Sequence, residues 1–184
     1  MDVLFDIPLA FMPRPCAMCA CVALLVALVW AGVVDARTRM VPRGALVAGA
    51  AAWAVSFAAS AVAYRAAFSW RAALAASVIG AALVAAFALA VDAVLSRMTG
   101  RAALGMGDTK LLFLIGLHCG AVTTLACLCA ACVLAAFYSV ARYAVVGIMR
   151  LLRVSNAPLF DGTFPFVPFL AASFVLVIGV LAGA

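Results

Sequence analysis

Charge is what this sequence has least of. Charged residues make up 10% of 184, there is no glutamate, and the six acids are Asp2, Asp6, Asp35, Asp92, Asp108 and Asp161. A soluble domain carries about a quarter charged residues, so an ordinary water-soluble globule and a disordered chain are both excluded. Histidine is nearly absent too. With His118 alone, neither a histidine-built metal centre nor a serine-type triad has its parts. No long linker, low-complexity tract or internal repeat breaks the chain, which reads as one domain over residues 1–184.

What is abundant is apolar: 71% of the residues, with a mean hydropathy of +1.33. At about 20 residues per crossing, the length accommodates an all-α, polytopic membrane bundle of about six helices. The expected spans are residues 16–34, 44–64, 72–95, 107–120, 122–146 and 164–182. The run 111–149 is too long for one span, since an unbroken helix there would reach about 58 Å. Gly116-Leu-His-Cys-Gly120 is its natural break. The first span resembles a secretory signal in length, but more positive charge follows it than precedes it, the reverse of a cleavable signal.

The net charge of +6 is spread singly between apolar runs, which fits the positive-inside rule rather than a nucleic-acid partner. Arg37, Arg39, Arg43, Arg97, Arg101, Lys110, Arg142, Arg150 and Arg153 fall on one side of the expected bundle; Arg14, Arg65 and Arg71 fall on the other. The richer side is cytoplasmic by that rule, and both termini lie outside.

Two aspartates share the cytoplasmic face. Asp35 ends the first span, and Asp108 opens the fourth in Gly105-Met-Gly107-Asp108-Thr-Lys110-Leu111. Neighbouring carboxyls do not readily both ionise, so one holds a proton while the other takes one from water. Such a pair can hydrolyse a peptide bond without metal or covalent intermediate, the acid protonating the carbonyl oxygen. Gly105 and Gly107 leave no side chain beside the acid, so a substrate backbone can approach. The helix start and Lys110 favour charge on Asp108, leaving Asp35 as the protonated partner, although the two titrate as a pair. Read singly, each acid fits a surface group pairing with Arg37, Arg39 or Lys110 better than a catalytic one; the constellation reverses that reading.

Taken together, these residues make the chain resemble the type IV prepilin peptidases, polytopic aspartic proteases of bacteria, with the archaeal preflagellin peptidases as relatives. Three elements carry the likeness: Asp35 followed by Val41-Pro42, the block from Gly105 to Leu111, and the late Pro165-Phe166-Val167-Pro168-Phe169-Leu170. The resemblance implies that Asp35 and Asp108 are the catalytic pair, supported by Gly105, Gly107, Lys110 and Pro42. It also implies a substrate cleft near Pro165, Phe166, Pro168 and Phe169. The implied substrate is a prepilin or pseudopilin, cut after the glycine that ends a short basic leader, at the cytoplasmic boundary of the inner membrane. No cofactor or metal is implied. Larger members carry a cytoplasmic insert and methylate the new N-terminus; this chain has no loop to hold that function and looks more like the short peptidases of Tad/Flp pilus systems. It has Arg43 where the family often has Asn, and Val167 where it often has Gly.

The remaining polar residues read more simply. Cys16-x-x-Cys19 and Cys129-x-x-Cys132 have the local spacing of zinc pairs but sit in apolar spans, and read as small buried hydrophobes. His118 reads as a helix-end residue at the outer surface. Asp92 reads as a partner of Arg97, Asp161 as a turn residue before Gly162, and Trp53, Tyr64 and Trp70 as interface anchors. Two rival functions are a general signal-peptide protease of the G-x-G-D kind and a non-enzymatic membrane subunit or transporter.

Overall fold

The computed structural model describes residues 12–64, 69–100, 105–151 and 165–183. Among these residues every regular element is an α-helix: α1 (Arg14–Thr38), α2 (Arg43–Ala63), α3 (Trp70–Thr99), α4 (Met106–Leu151) and α5 (Val167–Gly183). Helices α1 to α4 are each long and apolar enough to cross a membrane, and α5 contains a shorter apolar stretch, Val167–Val180. Arg65, Arg101, Arg153 and Asp161, with the turn expected at Asp161, lie outside the described residues.

Local chemistry sets the ends. Pro15 lies in the first turn of α1, where its missing N–H costs nothing. Arg39 closes the helix in a left-handed conformation (φ 57°), its N–H bonding the Asp35 carbonyl at 2.9 Å. Gly100 closes α3 in the same way (φ 69°). Pro42 starts α2 from an extended conformation.

Helix α4 is not one rod. Gly120 adopts φ 78°, ψ 177°, non-helical and open essentially only to glycine. The chain reverses there. Lys110 lies beside Leu46 near the start of α2. Ala126 lies beside Val177 and Val180 near the end of α5, while Tyr138 stacks on Phe169 at the start of α5 (5.3 Å between centroids). The stretch after Gly120 therefore runs antiparallel to α5, back towards the end where α4 began.

The core is built from Leu24 and Leu28 of α1, Leu111, Leu112 and Ile115 of α4, and Leu170 and Phe174 of α5, all essentially fully buried. Buried alanines, among them Ala20, Ala31, Ala81 and Ala131, let helix backbones approach, as membrane helices require. The closest approach is between α3 and α4. A Cβ on Gly80 would lie 2.8 Å from the Gly120 Cα, and one on Gly116 would lie 2.9 Å from the Ala81 Cα. Outward faces are aliphatic, with Val22, Val26, Val47, Val55, Phe137 and Val140 half exposed or more. Bare apolar surface on every side is what a lipid solvent calls for.

Two expectations are corrected. His118 is fully buried, because α3 packs on the Gly116–Gly120 corner beside it; its Nδ1 lies 3.0 Å from the Leu114 carbonyl. Cys19, Cys129 and Cys132 are exposed, on outward faces, whereas Cys119 and Cys127 are buried.

Candidate active site

One end of the bundle gathers the C-terminus of α1 and the N-termini of α2, α4 and α5 around a cavity of about 450 Å³. Asp35 and Asp108, 73 residues apart in sequence, both line it. Around them stand Arg39, Val41, Arg43, Lys110 and Phe166. Three helix N-termini at one spot supply backbone N–H groups and the positive ends of helix dipoles, which stabilise negative charge that develops in the cavity.

Asp35 lies in the last turn of α1 and is only 7% exposed. Its Oδ2 accepts a hydrogen bond from the Val167 N–H at 3.2 Å. That N–H is one of the helix-start donors of α5 with no partner inside its own helix, so Asp35 caps α5 from another helix. The donor is backbone, so having Val167 where the family often has glycine leaves this contact in place.

Asp108 lies in the first turn of α4, with its N–H bonded to the Gly105 carbonyl at 3.0 Å. A Cβ on Gly105 would come within 3.3 Å of the Asp108 Oδ2, so this glycine keeps the face of the carboxyl clear. Gly107 does something else. A Cβ there would meet the Val41 Cγ2 at 2.6 Å, so its bare face is filled by Val41 rather than kept open for substrate. The α1–α2 corner is thereby seated on the start of α4, which brings the two aspartates into one hollow.

Lys110, like Arg39 and Arg43, lines the cavity. Among the described residues no ion pair joins any of the three to Asp35 or Asp108. Pro42 does not line the cavity; it starts α2, and its carbonyl accepts from the Ala45 N–H at 3.1 Å. Of the expected late cleft, Phe166 alone faces the acids. Pro168 lies in a separate groove between α1 and α5, Phe169 stacks on Tyr138, and Pro165 does not line the cavity. Asp92 also lies outside this cavity and accepts from the Ser96 hydroxyl at 3.4 Å.

Sequence reasoning did not assign Arg39, Met40, Val41, Arg43, Leu46 and Met106 to the site, nor the Val167 N–H as a partner of Asp35. The available signal was position: five of these six lie within three residues of the motif residues Pro42 or Gly107.

No curated protein and no solved structure gives a significant match to the chain. A family profile does: that of the type IV leader peptidase family matches residues 22–140. Asp35, Pro42 and the Gly105–Leu111 block all fall inside this stretch, which covers well over half of the 184 residues. The protein belongs to the type IV leader peptidase family.

Proposed function

We propose that this chain is an aspartic endopeptidase that removes the short basic leader from prepilin-like proteins after its terminal glycine, at the cytoplasmic face of the inner membrane. The observation that carries the reading is the cavity shared by Asp35 and Asp108 in a member of a leader peptidase family. In this mechanism one carboxylate takes a proton from water as that water adds to the scissile carbonyl, while the other carboxyl protonates the carbonyl oxygen; the tetrahedral diol then collapses with C–N cleavage, the first carboxyl giving its proton to the leaving amine and the second regaining one from the diol hydroxyl. The Val167 N–H holds the Asp35 carboxyl in place. Partial negative charge on the carbonyl oxygen, as water adds and before proton transfer is complete, develops among helix N-termini and the cations Arg39, Arg43 and Lys110. The chain crosses the membrane six times, with α4 counted as two passes hinged at Gly120, and with both termini outside. Having no insert for a methyl-donor site, it releases the new N-terminus unmethylated.

The test is co-expression with a prepilin-like substrate in membranes, following substrate size and the new N-terminus. Wild type is expected to cut after the leader glycine. Asp35→Asn and Asp108→Asn, at equal membrane levels, are expected to lose at least about 10³-fold in rate, the scale of removing a catalytic acid or base. Cleavage retained by either variant overturns the dyad.

A further inference from the structure

The cavity holding the two aspartates continues beyond them. Leu46 and Lys110 line it and also line a second hollow of about 280 Å³, with Ala50, Phe113, Leu114 and Leu117. On α2, Leu46 and Ala50 lie one turn apart; on α4, Lys110, Phe113 and Leu117 recur at i, i+3 and i+7, so each set lies along one face of its helix. Below Lys110 the groove is lined by apolar residues. Its floor is closed: Gly49 has no side chain, and a Cβ there would lie 2.5 Å from the Leu114 Cδ2. An occupant therefore lies along the outside of the bundle, open to lipid. From Lys110 to Leu117 the groove extends about 10 Å, or two helical turns.

A second apolar groove, of about 300 Å³, runs between α1 and α5 past Val29, Gly32, Val33, Ala36, Pro168 and Ala171. It shares no lining residue with the aspartate cavity. The two grooves are alike in size and polarity, but of the two only the α2–α4 groove shares lining residues with the aspartate cavity. A chain that is an apolar helix at one end and an extended, scissile segment at the other fills the α2–α4 groove and the cavity together. A lipid chain fills the groove alone.

We propose that the α2–α4 groove is the docking site for the apolar helix of the substrate. Its first two turns lie against Leu46, Ala50, Phe113 and Leu117, and the peptide bond before them passes over Leu46 and Lys110 to the aspartates. This inference rests on the leader peptidase reading and adds the side from which substrate arrives. Because lipid is as apolar as the groove, docking depends on shape: small Ala50 beside large Phe113 makes a notch for a helix ridge.

The test uses the full chain in membranes with a prepilin-like substrate, and a photoreactive phenylalanine in place of Ala50 or Phe113, or of Val33 or Ala171 in the other groove. Asp108→Asn is included so that the substrate persists. The expected result is about tenfold more substrate adduct from positions 50 and 113 than from 33 and 171, equivalent to 1.4 kcal/mol of preferential docking. Equal adducts from both grooves, adducts mainly from 33 and 171, or adducts to lipid alone overturn the proposal. Wild-type cleavage of the same substrate is measured alongside. Cleavage without adduct at 50 or 113 overturns the groove and leaves the peptidase standing. Adduct without cleavage leaves a helix-docking groove and overturns the peptidase. As an independent check, Ala50→Trp is expected to lower kcat/KM for the anchored substrate about tenfold, again 1.4 kcal/mol; an equal loss from Val33→Trp, at an exposed position of the other groove, overturns the assignment.

Discussion

Asp35 does two jobs, and substitutions separate them. Its Oδ2 holds the first N–H of α5, and its carboxyl faces the shared cavity. Asn keeps an acceptor oxygen at that place; Ala leaves the buried N–H unpartnered, which costs about 1–3 kcal/mol. Asp35→Ala is therefore expected to melt below Asp35→Asn in detergent, while both lose cleavage. Equal melting temperatures would show that the cap contributes nothing. Gly107 offers a second separation. Gly107→Ala places a methyl 2.6 Å from the Val41 Cγ2, an overpacking worth about 1–3 kcal/mol, and displaces the α1–α2 corner that carries Asp35 to Asp108. Activity and melting temperature are both expected to fall, and Val41→Ala is expected to restore them in part, since the Val41 Cβ itself stands 3.0 Å from the added methyl. A Gly107→Ala loss that persists in full with Val41→Ala would return this glycine to the substrate-approach role the sequence suggested. Asp35 and Asp108 stand out in sequence because carboxylates beside membrane spans are costly. Val41 stands out only as half of the Val41-Pro42 pair, and that pair does not say what it touches; its packing against Gly107 is a long-range contact.

Among the elements, α4 is the one whose shape decides the fold. Its break could be read from sequence, because an apolar run of that length outreaches the bilayer and glycines cluster at 116 and 120. That α3 lies directly on the break could not, since Gly80 reads like any small residue in an alanine-rich helix. The strain and the close approach give a prediction. Gly120→Ala must hold φ 78°, ψ 177°, a cost of about 1–3 kcal/mol. Gly80→Ala pushes a methyl to 2.8 Å from the Gly120 Cα and 3.0 Å from the Ala121 N, backbone atoms with no rotamer to retreat into. Both variants are expected to lose melting temperature and membrane yield. Gly147→Ala and Gly179→Ala, whose added methyls meet nothing within 4 Å, are expected to match wild type. The late Pro-Phe run was only partly legible. Proline marks where a helix starts, and α5 does start there, but which aromatic faces the acids depends on helix phase. Phe166 does, and Phe169, three residues on, packs against Tyr138 instead.

At the scale of the whole molecule, charge polarity follows the fold. Arg37, Arg39, Arg43, Arg97 and Lys110 lie towards the end that holds the aspartates, and Arg14 and Arg71 towards the other. With native cysteines replaced, Ser69→Cys is expected to react with an impermeant thiol reagent from outside the cell, and Arg97→Cys only after permeabilisation. The reverse pattern would invert the orientation and put the aspartates on the wrong face for a cytoplasmic leader. The contact of Gly80 with Gly120, and of Gly116 with Ala81, has a mechanical consequence. Backbone pressed on backbone leaves no side chains to yield, whereas α2 rests on α4 far more sparsely than α3 does. Helices α3 and α4 therefore form a stiff pair bearing Asp108, and Asp35 is set against that pair through the α1–α2 corner, where Val41 fills the bare face of Gly107.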